Sequence, residues 1–231
     1  MPTVEPMKDA ESVRVWDLPT RTFHWLLAIC VIASIVTARV GGGAMAWHFR
    51  IGFIVFTLLA FRLLWGFVGG RWSRFRAFVY APAASLRYLR GKSLPHEHHD
   101  VGHSPVGAGS VFALLGLVAL QVGTGLLADD EIASSGPLVK FVSSATSAAA
   151  SNWHKNYGQW IIIALIVLHV AAIAFYWLRR RQNLVGPMLH GDKLLTRDVP
   201  ASVDTLSTRL LALALVAACG VGVYAIQRLG D

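Results

Sequence analysis

Two stretches decide how this chain is read: Trp47-His48-Phe49-Arg50-Ile51-Gly52 and Trp153-His154-Lys155-Asn156-Tyr157-Gly158. Each opens a long apolar run, and each places a glycine four residues after a histidine. On a helix those two positions share a face one turn apart. The glycine therefore leaves open space beside the imidazole. His169 lies deeper in the second run, and His24 stands near the start of another. A titratable side chain inside a membrane span is costly and marks function by default.

The composition fits such spans. Of 231 residues, 55% are hydrophobic and only 15% charged, against about a quarter charged in a soluble domain. Runs at 22–38, 47–68, 106–128, 153–178 and 206–226 approach the roughly 20 apolar residues a crossing needs. The expectation is an all-α membrane protein with five transmembrane helices, the last of them C-terminal. Asp17-Leu18-Pro19 reads as a helix start, with a capping carboxylate and a proline where a missing N–H does no harm. Gly41-Gly42-Gly43 breaks the chain between the first two spans and makes them a tight hairpin. Acidic residues Glu5, Asp9 and Glu11 precede the first run, which makes a poor signal peptide, so that run is expected to stay. Cys30 and Cys219 stand singly in different spans; without a CxxC or CxxCH pattern they read as small buried hydrophobes.

With alternating crossings, one side of the membrane receives 15 Lys and Arg and the other 5, leaving Arg62 inside a span. The positive-inside rule then puts the N-terminus in the cytoplasm and, after five crossings, the C-terminus on the opposite side. The net charge of +8 is explained by these flanks and calls for no nucleic-acid partner.

Depth follows from direction. His48 and His154 both open helices that start from the outer side, so they share one level. His169 is 15 residues beyond His154, roughly 22 Å at 1.5 Å per residue, and is turned roughly 60° from its face. That places it near His24 at the cytoplasmic level. The pairs His48/His154 and His24/His169 fit two iron porphyrins, each held by two imidazoles and open to no further ligand. Gly52 and Gly158 are expected to make room for them. Arg62, 14 residues after His48, lies at the inner level within roughly 40° of the ligand face. No acidic side chain occurs in the spans, so a haem propionate is its expected partner, with snorkelling to the headgroups as the alternative. Arg21 and Arg50 flank the ligands as further propionate partners or as interfacial anchors.

The chain resembles the bacterial cytochrome b561 family, which includes the b-type cytochrome subunits of nickel–iron hydrogenases. The resemblance rests on Arg14-Val15-Trp16-Asp17 with Thr22-Phe23-His24-Trp25, on the first hexapeptide, and on Phe61-Arg62-Leu63-Leu64-Trp65-Gly66. It continues through Gly102-His103-Ser104-Pro105-Val106-Gly107 and Arg181-Gln182-Asn183-Leu184-Val185-Gly186-Pro187-Met188. It implies a four-helix core holding two non-covalent b-type haems, with His24, His48, His154 and His169 on the ligand-bearing motifs. It also implies electron transfer between the quinone pool and a partner redox protein, such as a c-type cytochrome or a hydrogenase. Residues 1–12 are then a tail, 13–193 the dihaem domain, and 194–231 a linker and extra helix that the core does not require.

His96-Glu97-His98-His99-Asp100 supports a different class, a metal-ion transporter or sensor without haem. A solvated loop is the plainer account of that stretch. His103 stands just before the third span, where a quinone headgroup could find a hydrogen-bond partner. The structural alternative there is Ser104 capping the helix ahead of Pro105.

Overall fold

A computed structural model describes residues 10–94, 97, 99–131 and 134–230. Five helices among these are long and apolar enough to cross a membrane. The first, α1 (Leu18–Val40), starts where Asp17 accepts the Thr20 N–H at 2.8 Å, a cap worth about 1 kcal/mol. It stops at Gly41 and Gly42, whose φ of 66° and 54° suits glycine. The chain then turns directly into α2 (Met45–Val68), the other arm of the hairpin. A short α3 (Pro82–Leu89) precedes α4 (Pro105–Leu126), which Ser104 caps through the Gly107 N–H.

The next span begins earlier than the apolar run. Here α5 (Ser144–Asn152), a π-helical turn over Trp153–Gly158 and α6 (Gln159–Arg180) form one rod. Its first two turns, Ser-Ala-Thr-Ser-Ala-Ala-Ala, carry no apolar signal, but alanine favours helix and Ser143 supplies the cap. Helix α7 (Val185–His190) and the last span, α8 (Leu206–Arg228), complete the helical set. Helix α8 packs on α2: its Ala212 is buried with Phe23, Leu58, Phe61 and Trp65. A second cluster, of Val55, Val118 and Ile162, joins α2, α4 and α6. Large apolar side chains such as Ile29, Phe67, Leu168 and Leu213 point outward. In water they would be an aggregation liability; in hydrocarbon they face a solvent as apolar as themselves.

At the end of the bundle where α1 begins, the chain builds a platform that the periodicity did not foretell. Strand β1 (Glu11–Arg14) pairs antiparallel with β2 (Asp192–Leu195), Glu11 opposite Leu195 and Arg14 opposite Asp192. Neither Glu-Ser-Val-Arg nor Asp-Lys-Leu-Leu alternates apolar with polar residues, so periodicity gives no strand signal in either. Strand β2 runs across the boundary expected after residue 193. Beyond it Leu195 and Val199 are buried with Val15, Trp16 and Val101, while the Ser202 hydroxyl donates to the Val15 carbonyl at 2.7 Å. The segment leading to α8 is thus part of the platform rather than a free linker.

Asp17 is the hub of this end. Fully buried, it accepts the Thr20 N–H and Trp65 Nε1–H on one oxygen and the Ser73 hydroxyl and Gly70 N–H on the other. Four donors satisfy a carboxylate that would otherwise be prohibitive to bury.

Candidate functional site

The four histidines meet as two pairs. His48, on the first turn of α2, faces His154 in the π turn, with ring centroids 6.0 Å apart and planes at 85°. His24 on α1 faces His169 on α6, with centroids 6.4 Å apart and planes at 51°. One metal ion bonded to a nitrogen of each ring needs two bonds of about 2 Å. Adding about 1.1 Å from each nitrogen to its ring centroid gives roughly 6 Å. Both spacings match a bridging ion, and neither allows direct hydrogen bonding between the rings.

The π turn explains the alignment along the rod. It absorbs one residue into the helix, so the two ligands are separated by about 14 α-helical steps rather than 15. At about 100° per residue the offset between their faces falls from roughly 60° to roughly 40°.

At the far level, away from the platform, the ring tautomers are fixed from outside. His48 Nδ1 lies 2.9 Å from the Ser34 carbonyl oxygen, and His154 Nδ1 lies 2.8 Å from that of Gln121. A carbonyl only accepts, so both Nδ1 atoms carry the proton and both Nε2 atoms are left as ligands. A largely apolar cavity of about 460 Å³ opens here, lined by Val31, Ile35, His48, Gly52, Val122 and His154 among others. A Cβ on Gly52 would meet nothing within 4 Å, as expected of a glycine that clears space. Gly158 does something else. It is absent from the cavity wall, and a Cβ there would lie 1.9 Å from Gln121 Oε1. The glycine beside the His154 ring is Gly125 on α4, where a Cβ would lie 2.8 Å from Cε1. The His-x-x-x-Gly repeat thus has two physical causes, and Gly125 could not be found from it.

At the platform level the Trp25 ring meets His24 edge-on at 5.0 Å, while its Nε1 donates to the Met188 carbonyl. Arg62, 4% exposed, does not reach for solvent. Its Nη2 donates to the Ser73 carbonyl at 3.0 Å and its guanidinium lies over the Phe75 ring at 4.7 Å. Asp17 is its electrostatic counterpart. Arg62 Nη1, Arg21 Nε and His24 Nδ1 are nevertheless buried without hydrogen-bond partners. Two cationic donors facing the same level are what an anionic group such as a porphyrin carboxylate needs. At the far surface, Arg50 lies over its neighbour Trp47, as an interfacial anchor does. His103 is held between the rings of Trp16 and Phe78, at 4.7 and 4.6 Å. Burial first, and then Arg62, push its pKa down to about 3, so the ring is neutral at ordinary pH.

The loop offered for the metal reading is organised differently. Glu97 is engaged by the Arg87 guanidinium, which holds it down to about 2, and by the Leu94 N–H. His99 is enclosed by Tyr80 and Tyr88. His96 and His98 lie outside the described residues. Among the described residues, no three His, Cys, Asp or Glu converge on a metal position.

Paired imidazoles at two depths of an apolar helical bundle, with one unpaired nitrogen on each of Arg62 and Arg21 at the level of one pair, fit a membrane protein that carries haem. The comparisons agree. The profile of the prokaryotic cytochrome b561 family matches residues 15–191, and the chain belongs to that family. It is 23% identical over 230 residues to the probable Ni/Fe-hydrogenase B-type cytochrome subunit of Rhodobacter capsulatus, covering 84% of this chain and 86% of that one. To the probable Ni/Fe-hydrogenase 1 B-type cytochrome subunit of Escherichia coli K12 it is 27% identical over 211 residues, covering 77% and 88%. No solved structure matches the chain. It is a multi-pass membrane b-type cytochrome.

Proposed function

We propose that the chain binds two haem b groups, one between His48 and His154 and one between His24 and His169, and passes electrons between a quinone and a partner redox protein. The observation that carries this reading is the pair of imidazole spacings, 6.0 and 6.4 Å, at opposite ends of one transmembrane rod. Haem held between these histidines would supply a one-electron couple, and committing an imidazole from each of two helices to it would favour electron transfer over oxygen chemistry. The chain's residues supply the rest. His48 and His154 hold their lone pairs on Nε2, and Gly52 clears the macrocycle's space. Arg62 and Arg21 offer charge to its carboxylates, and the surrounding aliphatic side chains keep water out.

The relatives' names make a nickel–iron hydrogenase the favoured partner. The skew of basic residues supports a bacterial inner membrane with the platform on the cytoplasmic side. The enclosed His103 is a candidate hydrogen-bond partner for a quinone headgroup. The test is a purified chain assayed for pyridine-haemochrome content, then mixed with a reduced donor and a ubiquinone or menaquinone analogue. Two acid-extractable haems per chain and haem-dependent quinone reduction are expected. Zero or one haem in fully loaded protein, or quinone reduction indifferent to haem, would overturn the proposal.

A further inference from the structure

We propose that Gln121 is the positioning residue of the far-level pair, gripping His154 through both its main chain and its side chain so that Nε2 stays aimed at His48. This rests on the haem ligation proposed above and adds to it a residue outside the histidine set. The contact is reciprocal. The Gln121 carbonyl accepts from His154 Nδ1 at 2.8 Å, and Gln121 Nε2 donates to the His154 carbonyl at 2.9 Å. No other histidine of the two pairs is held from both directions by one residue among the hydrogen bonds of the described residues.

Two glycines, one on each helix, make this grip sterically possible. A Cβ at Gly125 would press on the His154 ring at 2.8 Å, so only glycine lets the imidazole lie against α4. A Cβ at Gly158 would sit 1.9 Å from Gln121 Oε1, so a side chain there would push the end of the glutamine away from the rod one turn beyond His154. Gly158 is thereby explained as the seat of Gln121. The π turn enters here as well: a widened turn at Trp153–Gly158 rotates His154 into register with Gln121. Such turns cost helix stability and persist where a function holds them.

The consequence is electronic as well as geometric. An Nδ1–H donated to a well-aligned carbonyl raises the basicity of the other nitrogen and with it the stabilisation of the oxidised metal. Slackening the grip should therefore raise the far-level reduction potential and leave the platform-level potential alone.

The experiment uses the full-length, haem-loaded protein in detergent, with Gln121→Met (similar length, no N–H donor) and Gly158→Ala (glutamine retained but displaced). Redox titration and ferric EPR are read for each haem. The expected result is an upward shift of the far-level potential and an altered far-level EPR line in both variants, or selective loss of the far-level haem. In either case the platform-level signals stay unmoved. Wild-type signals at the far level in both variants would overturn the proposal. So would equal loss of both haems, which would mean a general packing role. A wild-type protein with fewer than two haems would instead sink the underlying ligation.

Discussion

The imidazole planes of His48 and His154 stand at 85° to each other, whereas those of His24 and His169 stand at 51°. The orientation of axial imidazoles sets how far the iron's two π-type d orbitals split. Crossed rings perturb both orbitals alike and leave them nearly degenerate; less crossed rings separate them. The oxidised protein should therefore show two distinct low-spin EPR signals. The more anisotropic of them should disappear in His154→Ala. A single signal for both haems, in protein carrying two, would contradict the ring geometry.

Pairing gives a second prediction. His48→Ala and His154→Ala should remove the same haem, and His24→Ala and His169→Ala the other. Each variant should retain one haem with wild-type spectral features, because the two pairs share only the rod that carries His154 and His169. Haem content and reduced-minus-oxidised spectra check this. Loss of the same spectral component in His24→Ala and His48→Ala would show that the pairs are wrongly drawn.

Asp17 gives a third, concerning stability rather than electron transfer. Asp17→Ala strands the Ser73 hydroxyl and the Gly70 N–H in the interior, leaves Trp65 Nε1 only its longer bond to Thr20 Oγ1, and removes the cap of α1. A buried donor left unsatisfied costs about 1–3 kcal/mol, and the lost cap adds about 1 kcal/mol. Thermal unfolding in detergent should move to clearly lower temperature. Asp17→Asn, which keeps one oxygen acceptor, should fall between. Equal unfolding temperatures for Asp17→Ala and wild type would remove the hub from the account.

Much of this was legible in the sequence, for identifiable reasons. Spans announce themselves because hydrocarbon tolerates few charges, and the depth of each histidine follows from helical rise once the crossing direction is known. Asp17 and Ser104 were readable as caps because capping is a local matter of three residues. What escaped is non-local. Asp17 collects donors from Trp65, Gly70 and Ser73, about fifty residues away. Gln121 and Gly125 belong to the far-level site only because α4 lies against the π turn, and no spacing in the chain records that. The repeat singled out Gly158, but a missing side chain does not say what lies close to it, and no spacing names Gln121. The platform strands do not alternate apolar with polar residues, and α5 was hidden by small residues that suit a loop as well as a helix.

Arg62 supplies the last prediction. Its side chain is fixed by the Ser73 carbonyl and the Phe75 ring, and one terminal nitrogen remains buried without a partner. A guanidinium locked beside the His24/His169 level is a standing positive charge in a medium of low dielectric, where charge acts at longer range than in water. Reduction adds an electron, so the charge favours the reduced state and raises the potential there. Arg62→Leu should lower the platform-level potential and leave the far-level one in place. Arg62→Lys keeps the charge but loses the planar fork, and should lower it by less. Haem affinity should follow the same order if a porphyrin carboxylate occupies the free nitrogen, read as the rate of haem transfer to apomyoglobin. A second cause is separable: because Arg62 also ties α2 to Ser73, both variants could loosen the platform. Thermal unfolding of Arg62→Leu and Arg62→Lys distinguishes this, since a packing effect would move unfolding temperature and potential together in both. Unchanged potentials in two stably folded variants would mean that Arg62 serves the fold alone.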